Sequence, residues 1–157
     1  MTAIKSFLLA IEMATRKRDQ VSQGLMQAQR VYLFAQDQMA QLETYATETE
    51  TRWTQAAQIS TSTELMRHHY QFMGRLHHAI ELQKGSLANE SLKVDAAKRL
   101  VLDAEFRLAS LKQVLKKKQA DLALHQSRRE QKQMDEFAAM RSGQSKGDFL
   151  VENDHEY

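Results

Sequence analysis

Ile4, Phe7, Ile11, Ala14, Arg18, Val21, Leu25, Ala28, Tyr32, Ala35, Met39, Leu42, Ala46, Thr49, Trp53 and Ala56 follow one another at alternating steps of three and four residues, and only Arg18 and Thr49 interrupt their apolar character. This is a heptad, the pattern of a helix that buries one stripe against another helix. A second series, Met66, Met73, Ile80, Leu87, Val94, Val101, Leu108, Leu115 and Leu122, steps by seven without a polar residue. Two long helices therefore account for nearly the whole chain.

The composition fits that reading. The 157 residues include no proline and five glycines, too little turn chemistry for a domain of many short elements. Hydrophobic residues make up 42% of the chain, but aromatic residues only 7% and charged ones 27%, enough to bury a stripe and too little for a globular core. The absence of cysteine excludes a disulfide framework and a thiolate metal site, and fits a reducing compartment such as the cytoplasm. No stretch reaches the roughly 18 apolar residues needed to cross a bilayer. The apolar run 7–11 is cut short by Glu12 and reads as the first turns of a helix.

Helix one is expected over about residues 4–58. Ile59, Ser60, Thr61, Ser62 and Thr63 then break the pattern, because hydroxyl side chains compete for backbone hydrogen bonds. Thr61 followed by Glu64 reads as a capping box, so helix two is expected over about residues 62–141 after a turn at about 59–62. At 1.5 Å per residue the helices measure roughly 80 and 120 Å. The fold class that follows is all-α, a long antiparallel two-helix coiled-coil hairpin with unequal helices. Residues 1–141 form one domain, and everything after about Gln119 overhangs as a single helix. Gly85 and Ser86 mark the expected bend, and the glycine-containing, then acidic stretch 142–157 is expected to be disordered.

Folding back in a register whose paired numbers sum to 122 sets Ala46 against Leu76, Ala35 against Leu87, Ala14 against Leu108 and Leu42 against Ile80. Small repeatedly meets large, which a close-packed seam requires. Arg18 opposite Ala104, Tyr32 opposite Glu90 and Lys118 opposite Ile4 are polar intrusions of the kind that pin register.

Little in the chain points to chemistry. His68, His69, His77 and His78 contain no pair at i and i+4, and His69 and His77 are roughly 80° and about 12 Å apart on a helix, so the four read as solvated or seam-edge residues. Carboxylates do not converge, and Gly143 and Lys146 lack the spacing of a phosphate-binding loop. The expectation is a protein without catalytic residues, metal or cofactor. Local basic clusters at Arg16, Lys17 and Arg18, at Lys116, Lys117 and Lys118, and at Arg128 and Arg129 read as solvated faces in a chain of net charge +2. No aromatics interleave with residues 116–118, which argues against a nucleic-acid partner. One stripe stands outside the seam: Tyr45, Phe72 and Ala79 flank Leu42 and Leu76 on a side to which both helices contribute. It reads either as a widened seam or as a partner-binding surface centred on Phe72.

These residues resemble the FliJ family of flagellar type III export proteins. The run Arg128, Arg129, Glu130, Gln131, Lys132, Gln133, Met134, Asp135, Glu136, Phe137, Ala138 is similar to the family's C-terminal signature QKxMDEFA. A second likeness covers Gln38, Leu42, Tyr45, Tyr70, Phe72, Leu76, Ala79 and Ile80, and the whole resemblance spans about residues 4–141. It implies a non-enzymatic stalk resembling the central stalk of rotary ATPases, held on the cytoplasmic side of the cell membrane through the export apparatus. The implied partners are a hexameric export ATPase, the cytoplasmic domain of the membrane export gate and export chaperones. The resemblance assigns gate binding to Gln38, Leu42, Tyr45, Phe72, Leu76 and Ala79, and entry into the ATPase ring to Arg128, Lys132, Met134, Asp135, Glu136 and Phe137. Thr49 stands where the family has an aromatic and Gln83 where it has a histidine, so the two ends of the gate surface contribute less here. The alternatives are the equivalent stalk of a virulence-type secretion system and a self-associating structural coiled coil.

Overall fold

The computed structural model describes the backbone of residues 2–152 and the side chains of residues 2–144. It contains two helices, α1 (Thr2–Ile59) and α2 (Thr63–Glu152), that pack against each other, with no strand among the described residues. The all-α hairpin read from the heptads is therefore the fold. Tertiary contacts group into two compact units: unit 1 comprises Met1–Ile11 and Ala109–Tyr157, unit 2 Glu12–Leu108. Periodicity alone suggests one domain.

In unit 2 the seam is continuous. Met39, Ala46, Met73, Leu76 and Ile80 form its buried cluster, with Leu42 and Phe72 packed against it. Ala14, Ala35, Val94, Ala104 and Leu108 extend the buried stripe. The contacts fall on the expected register: Leu42 and Ile80, like Ala46 and Leu76, share the cluster, and Trp53 stacks on His69 with ring centroids 4.4 Å apart and planes 8° from parallel. Because two helices enclose only one layer of side chains, no described residue falls below 2% exposure.

Three boundary expectations change. The N-cap of α2 is Ser62 and not Thr61: the Ser62 hydroxyl accepts the Leu65 N–H at 3.2 Å, and the Ser62 carbonyl accepts the Met66 N–H at 3.0 Å. The chain leaves α1 with the Ser60 N–H on the Ala56 carbonyl, so Thr61 lies wholly in the turn and only the next hydroxyl reaches a free N–H. Secondly, α2 runs unbroken through Gly85 and Ser86 and past Arg141 to Glu152. No described residue has a positive φ, so Gly143 adopts helical dihedrals and costs the helix only about 1 kcal/mol relative to alanine. The expectation of disorder over 142–157 thus gives way to helix as far as Glu152, and residues 153–157 lie outside the described residues. Thirdly, the ends of the seam move: Ala56 is exposed and Ala57 half-buried, and Met66 and Leu122 are exposed. A strict seven-residue step drifts by roughly 20° per heptad against a straight helix, which is felt first where the pairing ends.

The threonine-rich stretch before the turn remains helical by local bonding. The hydroxyls of Thr47, Thr51 and Thr54 donate to the carbonyls of Glu43, Thr47 and Glu50, respectively, at 2.9–3.0 Å. Those bonds satisfy the side chains within the helix rather than against it.

Candidate functional site

Unit 2 holds all six residues of the expected gate surface. Tyr45 and Phe72 lie outside the seam and meet edge to face, with centroids 6.1 Å apart and planes at 84°. Phe72 is half-buried against the core cluster, whereas Tyr45 is 48% exposed. The pair is thus a supported ring with an exposed one leaning on it, a geometry worth about 0.5–1.5 kcal/mol beyond area. Leu42 and Ala79 are half-buried and Gln38 is exposed. Leu76 lies deeper: at 8% exposure it belongs to the core cluster against which Leu42 and Phe72 pack.

Gln83 borders this surface. Its side-chain amide donates to the Ala35 carbonyl at 3.0 Å and to the Gln38 carbonyl oxygen Oε1 at 3.4 Å, across the seam. A polar seam residue is thereby satisfied and ties Gln38 to α2. The sequence marked Gln83 only as a departure from a pattern, because a hydrogen bond to a backbone carbonyl of the other helix leaves no trace in spacing.

His69 is also more deeply placed than its neighbours. It is 9% exposed, stacked on the Trp53 ring and in edge contact with Tyr70, and its Nε2 lies 3.4 Å from the Glu50 carboxylate. Its position opposite Trp53 in the heptad is the signal that separates it from His68, His77 and His78, which are exposed. Among the described residues no three His, Cys, Asp or Glu side chains are grouped to hold a metal ion.

Unit 1 holds the other expected surface. Arg128, Lys132, Met134, Asp135, Glu136 and Phe137 are all exposed, on a stretch of α2 in which no residue from 116 to 144 is buried. Met134 and Phe137 line a shallow groove with Glu130, Gln133, Ala138 and Arg141, and the Arg141 guanidinium lies 5.2 Å above the Phe137 ring. Nearer α1, Ile4, Leu122, His125, Arg129 and Gln133 line a second open groove. Lys118 ends the seam by placing its ammonium 4.4 Å from the centre of the Phe7 ring. These grooves are open to solvent and too shallow to enclose a small substrate.

The family model described as "Flagellar FliJ protein" matches residues 5–147. The chain belongs to the FliJ family. No curated protein and no solved structure matches it. Membership makes the chain a component of the flagellar protein export apparatus, and the match extends a few residues beyond the 4–141 span of the resemblance seen in the sequence. No helix of the described residues is long and apolar enough to cross a membrane.

Proposed function

We propose that this FliJ-family chain is a non-enzymatic stalk and adaptor of the export apparatus. It couples the hexameric export ATPase to the cytoplasmic domain of the membrane export gate, escorts export chaperones, and is held at the cytoplasmic face of the membrane by those contacts. The observation that carries the reading is the Tyr45–Phe72 ring pair, which lies outside the seam and presents an exposed aromatic edge with a rigid base. Aromatic groups of this kind are the usual anchors of protein interfaces. The separate, exposed surface of unit 1 supplies the second contact that an adaptor needs, through Arg128, Lys132, Met134, Asp135, Glu136 and Phe137. The work is done by contact, and nucleotide chemistry belongs to the ATPase.

The test is binding of wild type and Tyr45→Ala to the purified gate domain and, separately, to the flagellar ATPase. Tyr45 is the better probe than Phe72, because truncating a ring that rests on the core also perturbs folding. The variant is expected to weaken gate binding at least about tenfold, the scale of an interface anchor, and to leave ATPase binding and ATPase stimulation unchanged. Wild type that binds neither partner, and forms a homodimer at micromolar concentration, would replace the adaptor by a self-associating coiled coil.

A further inference from the structure

Among the described residues, unit 1 carries an excess of basic side chains that no described carboxylate answers. Over residues 2–11 and 109–144 it has nine Lys and Arg against four Asp and Glu, whereas unit 2 has twelve against twelve. Every ion pair of a Lys or Arg among the described residues lies in unit 2: Glu12 with Arg16, Arg18 with Asp19, Glu48 with Arg52, Glu81 with Lys84 and Glu90 with Lys93. In unit 1 two cations lie over rings instead, Lys118 on Phe7 and Arg141 on Phe137. Lys116, Lys117, Arg128, Arg129 and Lys132 are exposed and have no carboxylate partner among the described residues.

A solvated helix face usually interleaves both signs three or four residues apart, as unit 2 does. Residues 112–132 do not: seven cations face only Asp121 and Glu130. The seam positions also change character there. After Leu122 the same heptad places His125, Arg129 and Lys132 where a partner helix would lie. At about 100° per residue, Arg128, Arg129 and Lys132 share one side of α2, while Met134 and Phe137 lie on the roughly opposite side. A surface that encloses this stretch must offer carboxylates to the basic side, because a desolvated, unpaired cation is strongly unfavourable.

We infer that residues 112–132 form a basic collar that docks on an acidic protein surface, and that on the ring reading above this surface belongs to the export ATPase. The collar steers the approach, since long-range attraction acts mainly on the association rate. Met134 and Phe137, beyond the collar, provide the short-range hold that sets dissociation. Nucleic acid fits less well, because no aromatic side chain interleaves with the seven cations. A lipid surface also fits less well, because Arg128, Arg129 and Lys132 oppose the apolar pair, whereas an interfacial helix has its cations flanking the apolar face.

The test is the affinity and association rate of the full chain for the purified export ATPase across a salt series, beside Arg128→Gln/Arg129→Gln/Lys132→Gln and Met134→Ala/Phe137→Ala. All five side chains are exposed, so both variants should retain wild-type helicity by circular dichroism. The charge variant is expected to associate about tenfold more slowly at low salt, the lower end of electrostatic steering, with a flatter salt dependence. The apolar variant is expected to dissociate faster and to keep the wild-type salt dependence. Wild-type binding that ignores salt, or a charge variant that binds like wild type, overturns the collar and leaves the ring reading standing. No ATPase binding at any salt overturns the ring reading and the collar with it. Binding of phosphatidylglycerol vesicles or heparin that the charge variant loses, while its ATPase binding is intact, assigns the cations to another polyanion and likewise overturns the inference.

Discussion

Units 1 and 2 are built from the same two helices and differ in what α2 has to lean on. In unit 2 the stripe of α2 faces α1 over its full length, and ten of the eleven buried hydrophobic residues among those described are found there. In unit 1 only residues up to Ile11 of α1 are present, and the buried stripe is reduced to Leu115. The same kind of helix is therefore a structural element in one unit and a presented surface in the other. Stability in unit 2 comes from packing, whereas the uncovered part of α2 rests on local helix propensity, which is weak without tertiary support.

The largest effect that could break this contrast is a cavity made in each unit. Leu76→Ala, at the centre of the unit 2 cluster, should lower the free energy of unfolding by about 2–4 kcal/mol. Leu122→Ala removes the same atoms from a seam position that is 51% exposed, and should change it by no more than about 0.5 kcal/mol. Urea denaturation of the full chain followed by far-ultraviolet circular dichroism measures both. Equal losses would mean that Leu122 is packed in solution and that the division between the units is false.

Much of this was legible in the sequence, and what was not has identifiable causes. The heptads place α1, α2 and the register, because period and side-chain size are properties of the chain itself: Ala46 opposite Leu76 and Trp53 opposite His69 follow from counting. The helix termini were less legible. Thr61 and Ser62 have similar capping chemistry, and the choice depends on which hydroxyl meets a free N–H as the chain leaves the turn. The extension of α2 to Glu152 was missed because glycine and polar residues read as a stop, although neither Gly143 nor its neighbours force one. Of the proposed gate surface, the resemblance conveys the six positions together but not the depth of Leu76, since it does not say whether a residue touches a partner or supports one that does. The uneven charge was countable from the start. It gains meaning only when the ion pairs of the described residues are found to be confined to unit 2.

A smaller effect sharpens the boundary at the turn. Ser62→Ala should cost about 1 kcal/mol, the usual worth of a side-chain N-cap, and Thr61→Ala should stay within about 0.5 kcal/mol. The same denaturation experiment reads both, and the reverse order would restore Thr61 as the cap. Since Tyr70 and Phe72 stand within three turns of this terminus, the Ser62 variant should also loosen the backbone beneath the proposed gate surface. Faster amide exchange over residues 63–70 in that variant is the expected sign, with exchange over residues 94–108 unaltered.

The smallest effect is also the most discriminating, because it applies one substitution to both units. Gly85 and Gly143 are both helical, and a Cβ built on either meets nothing within 4 Å, so alanine fits each site without rearrangement. In both cases the change removes unfolded-state freedom worth about 0.5–1 kcal/mol. Where that gain appears depends on cooperativity. Gly85 lies within unit 2, whose stretch of α2 unfolds only with its seam, so Gly85→Ala should raise global stability by the full amount. Gly143 lies where α2 has no partner among the described residues, and its helix can fray while unit 2 stays folded. Gly143→Ala should therefore leave the global transition unmoved and slow amide exchange only in its own neighbourhood. If Gly143→Ala instead raises the global transition as Gly85→Ala does, α2 unfolds as one cooperative rod, and the exposed end is a rigid extension of the seam rather than a surface that becomes ordered on binding.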